Sequence, residues 1–461
     1  MDSTFDVVVL GAGSGGYACA LRAAELGLTV ALVERAKVGG TCLHLGCIPT
    51  KALLHAAEVA DTVRDAGEFG VGASLAGIDM AGVHRYKDAV VAKLFKGLTG
   101  LVASRGITLV EGEGRLFAPD TVAVGDRLLT GRHVVLASGS YAKTLPGITI
   151  DGQYVLTSEH ALGLDRVPTS ALVLGGGVIG CEFASVWRSF GAEVTIIEAL
   201  PHLVPNEDQA ISLALERSFR RRRIGFRVAA RVEQVTVIDG GVRVSISGGD
   251  TLEAEVLLVA VGRGPCTDGL GYAEQGVTLE HGFVVTDERL ATGLTTASGG
   301  HVYAVGDIVP GLQLAHRGFQ QGIFVAEEIA GLDPNPIDEA GIPRITYCDP
   351  EIASVGLTET TARDRLGKIE TLTYDLGGNG KSQILKTQGF VKLVRQSEGP
   401  VVGIHIIGAR AGELIGEAQL IYGWEAFPDD IASLVHAHPT QNEALGEAFL
   451  ALAGKPLHIH A

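Results

Sequence analysis

Two cysteines with four residues between them stand in the run Gly39-Gly40-Thr41-Cys42-Leu43-His44-Leu45-Gly46-Cys47-Ile48-Pro49-Thr50-Lys51. Such a pair can form a redox-active disulfide, contribute to a metal site or pack as buried thiols. Along a regular helix five residues rise ~7.5 Å, whereas a relaxed disulfide wants Cα atoms about 4.4–6.8 Å apart. A bridge therefore requires a distorted turn at a helix start, which Gly39, Gly40 and Gly46 permit. A helix N-terminus also stabilises the thiolate, the reactive form. Structural zinc wants four ligands and no second pair lies at ligand spacing, so no metal is expected. Spacing alone leaves redox chemistry and buried thiols both open.

A second candidate is His436-Ala437-His438-Pro439-Thr440-Gln441-Asn442-Glu443. A residue before proline does not readily continue a helix, so His438 should project from a fixed turn, with Glu443 placed to return to its ring. Taken alone, His438 also reads as an ordinary turn residue.

The elements that must position these groups begin at the N-terminus. Residues 5–10 read as a buried parallel strand, followed by Gly11-Ala12-Gly13-Ser14-Gly15-Gly16, a helix closed by Gly27, and a strand over 29–33 ending in Glu34. Gly11 allows the tight turn, Gly13 the approach of a pyrophosphate and Gly16 close helix–strand packing, while Glu34 can accept from a ribose hydroxyl. The helix start supplies N–H donors for phosphate. A second copy runs from the strand before Gly175-Gly176-Gly177-Val178-Ile179-Gly180 to Glu198. The acidic residue lies 23 positions after the first glycine in both copies. One such loop is a weak signal, but two with matching intervals in strand–loop–helix–strand context point to two dinucleotides on one chain.

Further apolar runs, at 257–261 before Gly262-Arg263, 301–305 before Gly306-Asp307 and 133–137 before Ser138-Gly139-Ser140, read as buried strands feeding ligand-facing turns. An Asx turn is the bland alternative for Asp307. From about Pro343 the pattern changes to shorter strands (389–394, 401–407) and helices from Ala411 and Asp429, with no third phosphate loop.

Composition bounds the reading. A chain of 461 residues, 46% hydrophobic, suggests two to four well-filled domains. The formal charge of −16 argues against nucleic acid as the main partner. The dense basic run, Arg220 to Arg223, is expected to be the solvated C-terminal end of a helix. No signal peptide is visible and no apolar run approaches the ~18–20 residues needed to span a membrane. Six cysteines do not make a secreted disulfide framework, so a cytosolic protein is expected.

Gly-Gly-Thr-Cys-x4-Cys-Ile-Pro-x-Lys after a flavin-type loop, Gly-Gly-Gly-x-x-Gly-Cys-Glu, Val-Gly-Asp-Ile and His-Ala-His-Pro-Thr-x-x-Glu occur here in one order. Together, from Phe5 to about Ala448, they resemble the class I pyridine nucleotide–disulfide oxidoreductases, and within them the branch that oxidises dihydrolipoamide. The resemblance implies an α/β chain of two Rossmann-like domains, the NAD domain inserted in the FAD domain, plus an α+β C-terminal dimerisation domain. The implied boundaries are 1–142 for FAD, 143–270 for NAD, 271–340 for a central segment completing the FAD domain, and 341–461 for the dimer interface.

By position, Cys42 resembles the thiol that meets substrate and Cys47 the thiol against the flavin. Thr41 and Lys51 fall beside the flavin, Lys51 with Glu182 as its carboxylate partner. Gly11, Gly13, Gly16, Glu34, Gly114, Ser138, Gly139, Ser140, Asp307 and Ala315 fall at other FAD contacts. Gly175, Gly177, Gly180, Glu198, Val232 and Gly262 fall at NAD contacts. His438 resembles the acid–base catalyst, supplied across a homodimer interface, with Glu443 behind it. The implied partners are dihydrolipoyl groups on the acyltransferase of 2-oxo acid dehydrogenase complexes or on glycine-cleavage carrier proteins. The acidic surface suits docking of a basic binding module.

The segment after Glu198 contains no arginine for a 2′-phosphate, and Glu198 itself would repel one, so NAD is expected over NADP. That weakens the nearest rival, a mycothiol- or glutathione-type reductase. Mercuric reduction lacks its C-terminal thiol pair in a chain ending His458-Ile459-His460-Ala461. Ser138 and Cys266 stand where threonine and asparagine are usual. Cys19, Cys181, Cys266 and Cys348 are expected to pack, His44 to be non-catalytic, and His458 and His460 to be solvated.

Overall fold

The computed structural model describes residues 3–459. The chain forms two compact units, one of Met1–Ala52, Ala81–Lys143 and Gly262–Glu339, the other of Leu53–Met80, Thr144–Val261 and Ala340–Ala461.

In the first unit a parallel sheet runs in the order His301–Ala304, Arg127–Leu136, Ser3–Leu10, Val30–Glu34, Thr108–Glu111, with Ala291–Thr295 antiparallel at one edge. Val7, Val8 and Val9 are fully buried on both faces, as a central parallel strand requires. The first strand pairs Val7 with Val30 and Val9 with Leu32 on one side, and Val9 with Val135 on the other. This places the ends of three strands, Leu10, Glu34 and Leu136, at one edge of the sheet. Helices Ser14–Glu25 and Ala315–Ile329 cross closely, and a Cβ at Gly322 would lie 2.2 Å from the Gly15 carbonyl.

The second unit holds a parallel sheet ordered Ile224–Arg227, Glu193–Ile197, Ser170–Leu174, Val256–Val259, Val155–Leu156. It also holds a five-stranded antiparallel sheet ordered Arg344–Thr346, Glu351–Gly356, Val401–Gly408, Phe390–Gln396, Ile369–Asp375. Helices Ala411–Gly423 and Glu443–Leu452 pack on this antiparallel sheet through Leu414, Ala418, Leu445 and Phe449. The α/β architecture with two Rossmann-like sheets and an α+β C-terminal part is therefore the one expected. No helix among the described residues is long and apolar enough to cross a membrane.

In the basic run Arg220, Arg221 and Arg223 are exposed at the end of their helix, as expected, and one residue departs from that expectation. Arg222 is not solvated: it donates to Asp61 Oδ2 at 3.0 Å, to Ser189 Oγ at 2.8 Å and to the Asp349 carbonyl at 3.0 Å. The helix ends at Arg221, and the turn that follows directs Arg222 inward where acceptors wait. His458 is solvated as expected, its side chain 65% exposed while its Nδ1 meets Glu447 at 2.8 Å, and His460 lies outside the described residues.

The second unit also buries charge. Lys392 Nζ donates to Asp208 Oδ1 at 2.7 Å and to Glu359 Oε2 at 2.8 Å, and Asp208 is also the N-cap of helix Gln209–Arg221. Burial pushes the Asp208 carboxyl up, but Lys392 and the Glu359 N–H outweigh it and hold it below its usual range. His405, buried between Ser354 and the Leu357 carbonyl, is pushed below the usual histidine range by desolvation. Both groups have depressed folded pKa values. Their contribution is thus present above the unfolded values of about 3.9 and 6.5 and lost as pH falls through that window. Stability of the whole chain, followed as the thermal midpoint, is expected to decline from about pH 6.5 downward. Lys392→Met leaves Asp208 buried and unpaired and is expected to cost about 3–5 kcal/mol in denaturant unfolding. An unchanged midpoint would contradict this reading of the cluster.

Candidate active site

The two glycine loops have the same internal geometry in their separate units. The Gly11 N–H donates to the Val33 carbonyl at 2.9 Å, and the Gly175 N–H to Ile197 at 2.8 Å. A Cβ on Gly11 (φ +106°) would stand 2.3 Å from the Ala137 carbonyl, and one on Gly175 (φ +108°) 2.3 Å from Ala260. A Cβ on Gly16 or Gly180 would strike the carbonyl of that first glycine at 1.8 and 1.9 Å. The middle glycines, Gly13 and Gly177, are the N-caps of their helices and face open space. A cradle of unoccupied N–H groups at a helix start, with room only where no Cβ projects, fits a dinucleotide pyrophosphate.

The acidic residues match as well. Glu34 accepts from the N–H groups of Ala12 and Ala36, both at 2.8 Å. Glu198 accepts from Gly176 at 2.6 Å and Leu200 at 2.7 Å. Each carboxylate is pinned beside its loop with lone pairs left for a ribose hydroxyl. Glu198 is 8% exposed, which raises the penalty for setting a phosphate against it.

The redox turn is built directly on the first loop. The Gly39 N–H donates to the Ala12 carbonyl at 2.8 Å, and a Cβ on Gly40 (φ +56°) would lie 2.7 Å from Gly13 Cα. The short helix Gly40–His44 carries Cys42, Leu45 and Gly46 interrupt it, and Cys47 opens helix Cys47–Asp65. Thr50 Oγ1 donates to the Gly46 carbonyl at 2.6 Å and braces the break. The distorted turn that a disulfide needs is thus present, and the two sulfurs share a hydrogen bond. That bond, then burial, pushes the Cys42 thiol far above its usual range, while Lys51 opposes both. His44 is structural: its Nε2 meets the Val38 carbonyl at 2.9 Å and its ring sits edge-on to Phe95 at 5.1 Å.

Other sequence-selected residues of this unit gather around the same loop. Gly114 is packed under it, since a Cβ there would be 2.7 Å from both Leu10 and Val33. Ser138 Oγ donates to the Cys266 carbonyl at 2.6 Å and receives the Tyr272 hydroxyl at 2.9 Å. Ser140 Oγ donates to Asp307 Oδ2 at 2.5 Å, so Asp307 is held by a side chain rather than by an Asx turn. Gly139 (φ +77°) faces open space between these serines. Ala315 opens the helix Ala315–Ile329, so its end of that helix offers N–H groups.

In the other unit Glu182 is 2% exposed and accepts from the Tyr347 N–H at 3.0 Å. Val232 begins the antiparallel strand Val232–Ile238 at an irregular register. Gly262, which belongs to the first unit, has φ +101° with nothing within reach of a Cβ, and its carbonyl receives the Lys143 N–H at 3.0 Å.

His438 stands on a turn with a cis peptide to Pro439. Its Nδ1 is 2.7 Å from Glu443 Oε1, the Thr440 N–H donates to Glu443 Oε2 at 2.7 Å, and Thr440 Oγ1 closes the turn on the Ala437 carbonyl at 2.7 Å. A carboxylate can only accept, so Nδ1 carries the proton and Nε2 is left as the base. Burial pushes the Glu443 carboxyl up, but the Thr440 N–H and His438 outweigh it and hold it below its usual range. The His438 side chain is 76% exposed, available to a group from outside its own unit.

Three contributors escaped the sequence reading. Arg263 grips Ser140 twice, Nε to Oγ and Nη2 to the carbonyl, each at 2.7 Å. Gln321 accepts the Gly306 N–H at 2.7 Å, and Tyr272 is fully buried against Ser138. Only Arg263 had a signal, its place straight after Gly262 at the end of an apolar strand. Cys266 is not simple packing either: it is half-buried and hydrogen-bonded to Arg35, although desolvation dominates and pushes its thiol up.

Residues 5–322 match the family model described as pyridine nucleotide-disulphide oxidoreductase, and residues 342–449 match its dimerisation domain. The dihydrolipoyl dehydrogenase of Bacillus subtilis is 38% identical over 99% of this chain and 100% of its own length. That of Chlorobaculum parvum is 39% identical over 98% of each. The crystal structure of LpdA from Mycobacterium tuberculosis superposes with a TM-score of 0.90 at 26% identity, covering 98% of this chain and 99% of that one.

Two substitutions test the site. Gly180→Ala forces the helix Val178–Phe190 off Gly175 and is expected to weaken dinucleotide binding at the second loop at least tenfold, about 1.4 kcal/mol, with flavin content unchanged. Titration of NADH into the purified flavoprotein checks it. Glu443→Gln removes the carboxylate charge and leaves one acceptor oxygen for two donors, the His438 Nδ1–H and the Thr440 N–H, and is expected to slow dihydrolipoamide oxidation at least tenfold, about 1.4 kcal/mol. NADH-to-dye transfer in the same preparation should be untouched.

Proposed function

This chain belongs to the pyridine nucleotide–disulphide oxidoreductase family, and on that premise we propose that it oxidises protein-bound dihydrolipoamide to lipoamide and reduces NAD+. The observation that carries this reading is the Cys42–Cys47 turn seated on the first glycine loop, in a chain with a second, equivalent loop. Full-length similarity to dihydrolipoyl dehydrogenases supports it. The cofactors are FAD at the loop of Gly11 and NAD at the loop of Gly175. The domain boundaries proposed are those near residues 142, 270 and 340, which put the flavin and nicotinamide sites on separate sheets.

In the proposed mechanism His438 Nε2 takes a proton from a dihydrolipoyl thiol, because only the thiolate is a good nucleophile. Glu443 keeps Nδ1 protonated and steadies the imidazolium that forms. The thiolate attacks Cys42 Sγ of the Cys42–Cys47 disulfide, giving a mixed disulfide and releasing Cys47 as a thiolate. The second lipoyl thiol displaces Cys42, and lipoamide leaves oxidised. Bound FAD supplies the two-electron relay from Cys47 to NAD+. Lys51, with Glu182 proposed as its carboxylate partner, keeps positive charge near the reduced sulfurs. Glu198 selects the free ribose hydroxyl of NAD.

A homodimer completes the site in this reading, with His438 serving the partner chain. Val435 at 98% and Trp424 at 76% exposure lie in the dimerisation-type segment, and large apolar side chains so exposed call for a covering surface. The cytoplasm is the proposed compartment, and a 2-oxo acid dehydrogenase complex or a glycine-cleavage carrier the proposed source of the lipoyl group.

Steady-state turnover with dihydrolipoamide and NAD+ tests the reading against NADPH-driven reduction of small disulfides. Robust NADPH-linked reduction without dihydrolipoamide turnover would overturn it. Cys42→Ser is expected to abolish lipoyl exchange and retain NADH-to-dye transfer, with flavin content measured alongside.

A further inference from the structure

The turn that presents His438 is held by more than Glu443. Glu417, on helix Ala411–Gly423, meets it at both ends: its Oε1 is 2.8 Å from His436 Nε2, and its Oε2 receives the Asn442 amide at 2.5 Å. A Cβ on Gly446 would lie 2.5 Å from His436 Nδ1, so the ring is wedged against helix Glu443–Leu452. These contacts fix where the turn begins and ends. They do not fix its middle, where the Thr440 N–H donates to Glu443 Oε2 while Glu443 Oε1 meets His438 Nδ1.

The middle is held from 61 residues away, by Asn379, whose Nδ2 donates to the Thr440 carbonyl at 3.0 Å. Asn379 Oδ1 accepts from the Ser382 N–H at 2.9 Å and from Ser382 Oγ at 3.0 Å, capping the short helix Gly380–Ile384, and both residues are buried. A backbone N–H can meet only the amide oxygen, so the NH2 group is the one that faces Thr440. Serine or aspartate would cap the helix as well, but serine is too short to reach a third group and a carboxylate has no donor to offer it. Thr440 is thereby bonded through its N–H, its hydroxyl and its carbonyl. With all three made, the N–H that holds Glu443 has one direction, and so has the carboxylate that holds the imidazole.

We infer that Asn379 is a positioning residue for the proton-transfer step, acting on His438 through Thr440 and Glu443 without touching substrate. The inference rests on His438 being the base in dihydrolipoamide oxidation. Without the Asn379 donor, Thr440 and then Glu443 gain freedom, and His438 Nε2 points in a wider range of directions. A misdirected base reacts less often at unchanged substrate affinity.

Rapid mixing of the holoenzyme with dihydrolipoamide, without NAD+, reads the step as the rate of flavin reduction. Asn379→Ser keeps a helix cap and removes the donor to Thr440. Its limiting rate is expected to fall about fivefold or more, with the half-saturating dihydrolipoamide concentration, flavin content and reduction by NADH unchanged. Ser382→Ala loosens the same cap but leaves the Thr440 bond, and is expected to keep the native rate. In a Glu443→Gln background, Asn379→Ser is expected to slow the step by less than about twofold further, because both act through one chain of bonds. A native rate in Asn379→Ser, equal slowing in Ser382→Ala, or full additivity with Glu443→Gln would each overturn the inference and leave the functional reading standing. No flavin reduction by dihydrolipoamide in the native chain would overturn the functional reading and the inference with it. If Asn379→Ser fails to fold, Asn379→Thr, which also caps without reaching Thr440, decides the matter.

Discussion

Close approach of backbone to backbone, possible only where no Cβ intervenes, is the constraint on which this molecule depends. At Gly16 and Gly180 the helix packs so near the preceding turn that a methyl group would overlap a carbonyl oxygen. At Gly11 and Gly175 the turn presses on the end of a neighbouring strand. These contacts pin each helix start over the sheet edge, and the positive end of the helix then becomes an anion site without any side chain. Glu34 and Glu198 finish the work by holding loop amides with both carboxylate oxygens.

The redox chemistry inherits that rigidity. Gly39 and Gly40 fasten the cysteine turn to Ala12 and Gly13 of the first loop, so the start of that turn is held at a fixed place relative to the loop. The same economy appears at His438, where the Glu443 carboxylate both closes the turn through Thr440 and selects the ring tautomer. In each case one group serves folding and reactivity together. Placement within tenths of an ångström is what catalysis by orientation requires.

Charge is treated differently in the second unit. Lys392 and Asp208 are buried and pair at a short distance, with the partly exposed Glu359 on the same ammonium, and Asp208 caps a helix as well. Such a cluster contributes little net stability against an apolar replacement, but it penalises any arrangement that separates its members. It ties the helix after the second dinucleotide loop to strands of the antiparallel sheet within that unit.

The local sequence by itself determined the strand–loop–helix units, because their signals are glycines at fixed intervals and apolar runs whose periodicity is a local property. For the cysteines it set only a condition, that five residues with Gly46 among them can reach bridging distance only by breaking the helix, and the structure supplied the break. The turn at His438 was legible locally: proline restricts the residue before it. Only the tertiary structure decided that Gly40 meets Gly13, that Arg263 clamps Ser140 onto Asp307, that Arg222 turns inward to Asp61, and that Tyr272 reaches Ser138. Those partners are separated by tens to more than a hundred residues, and no local pattern encodes which distant acceptor a buried donor will find. Hydrogen bonding of buried groups is obligatory, but its pairing is settled by the packing of strands and helices.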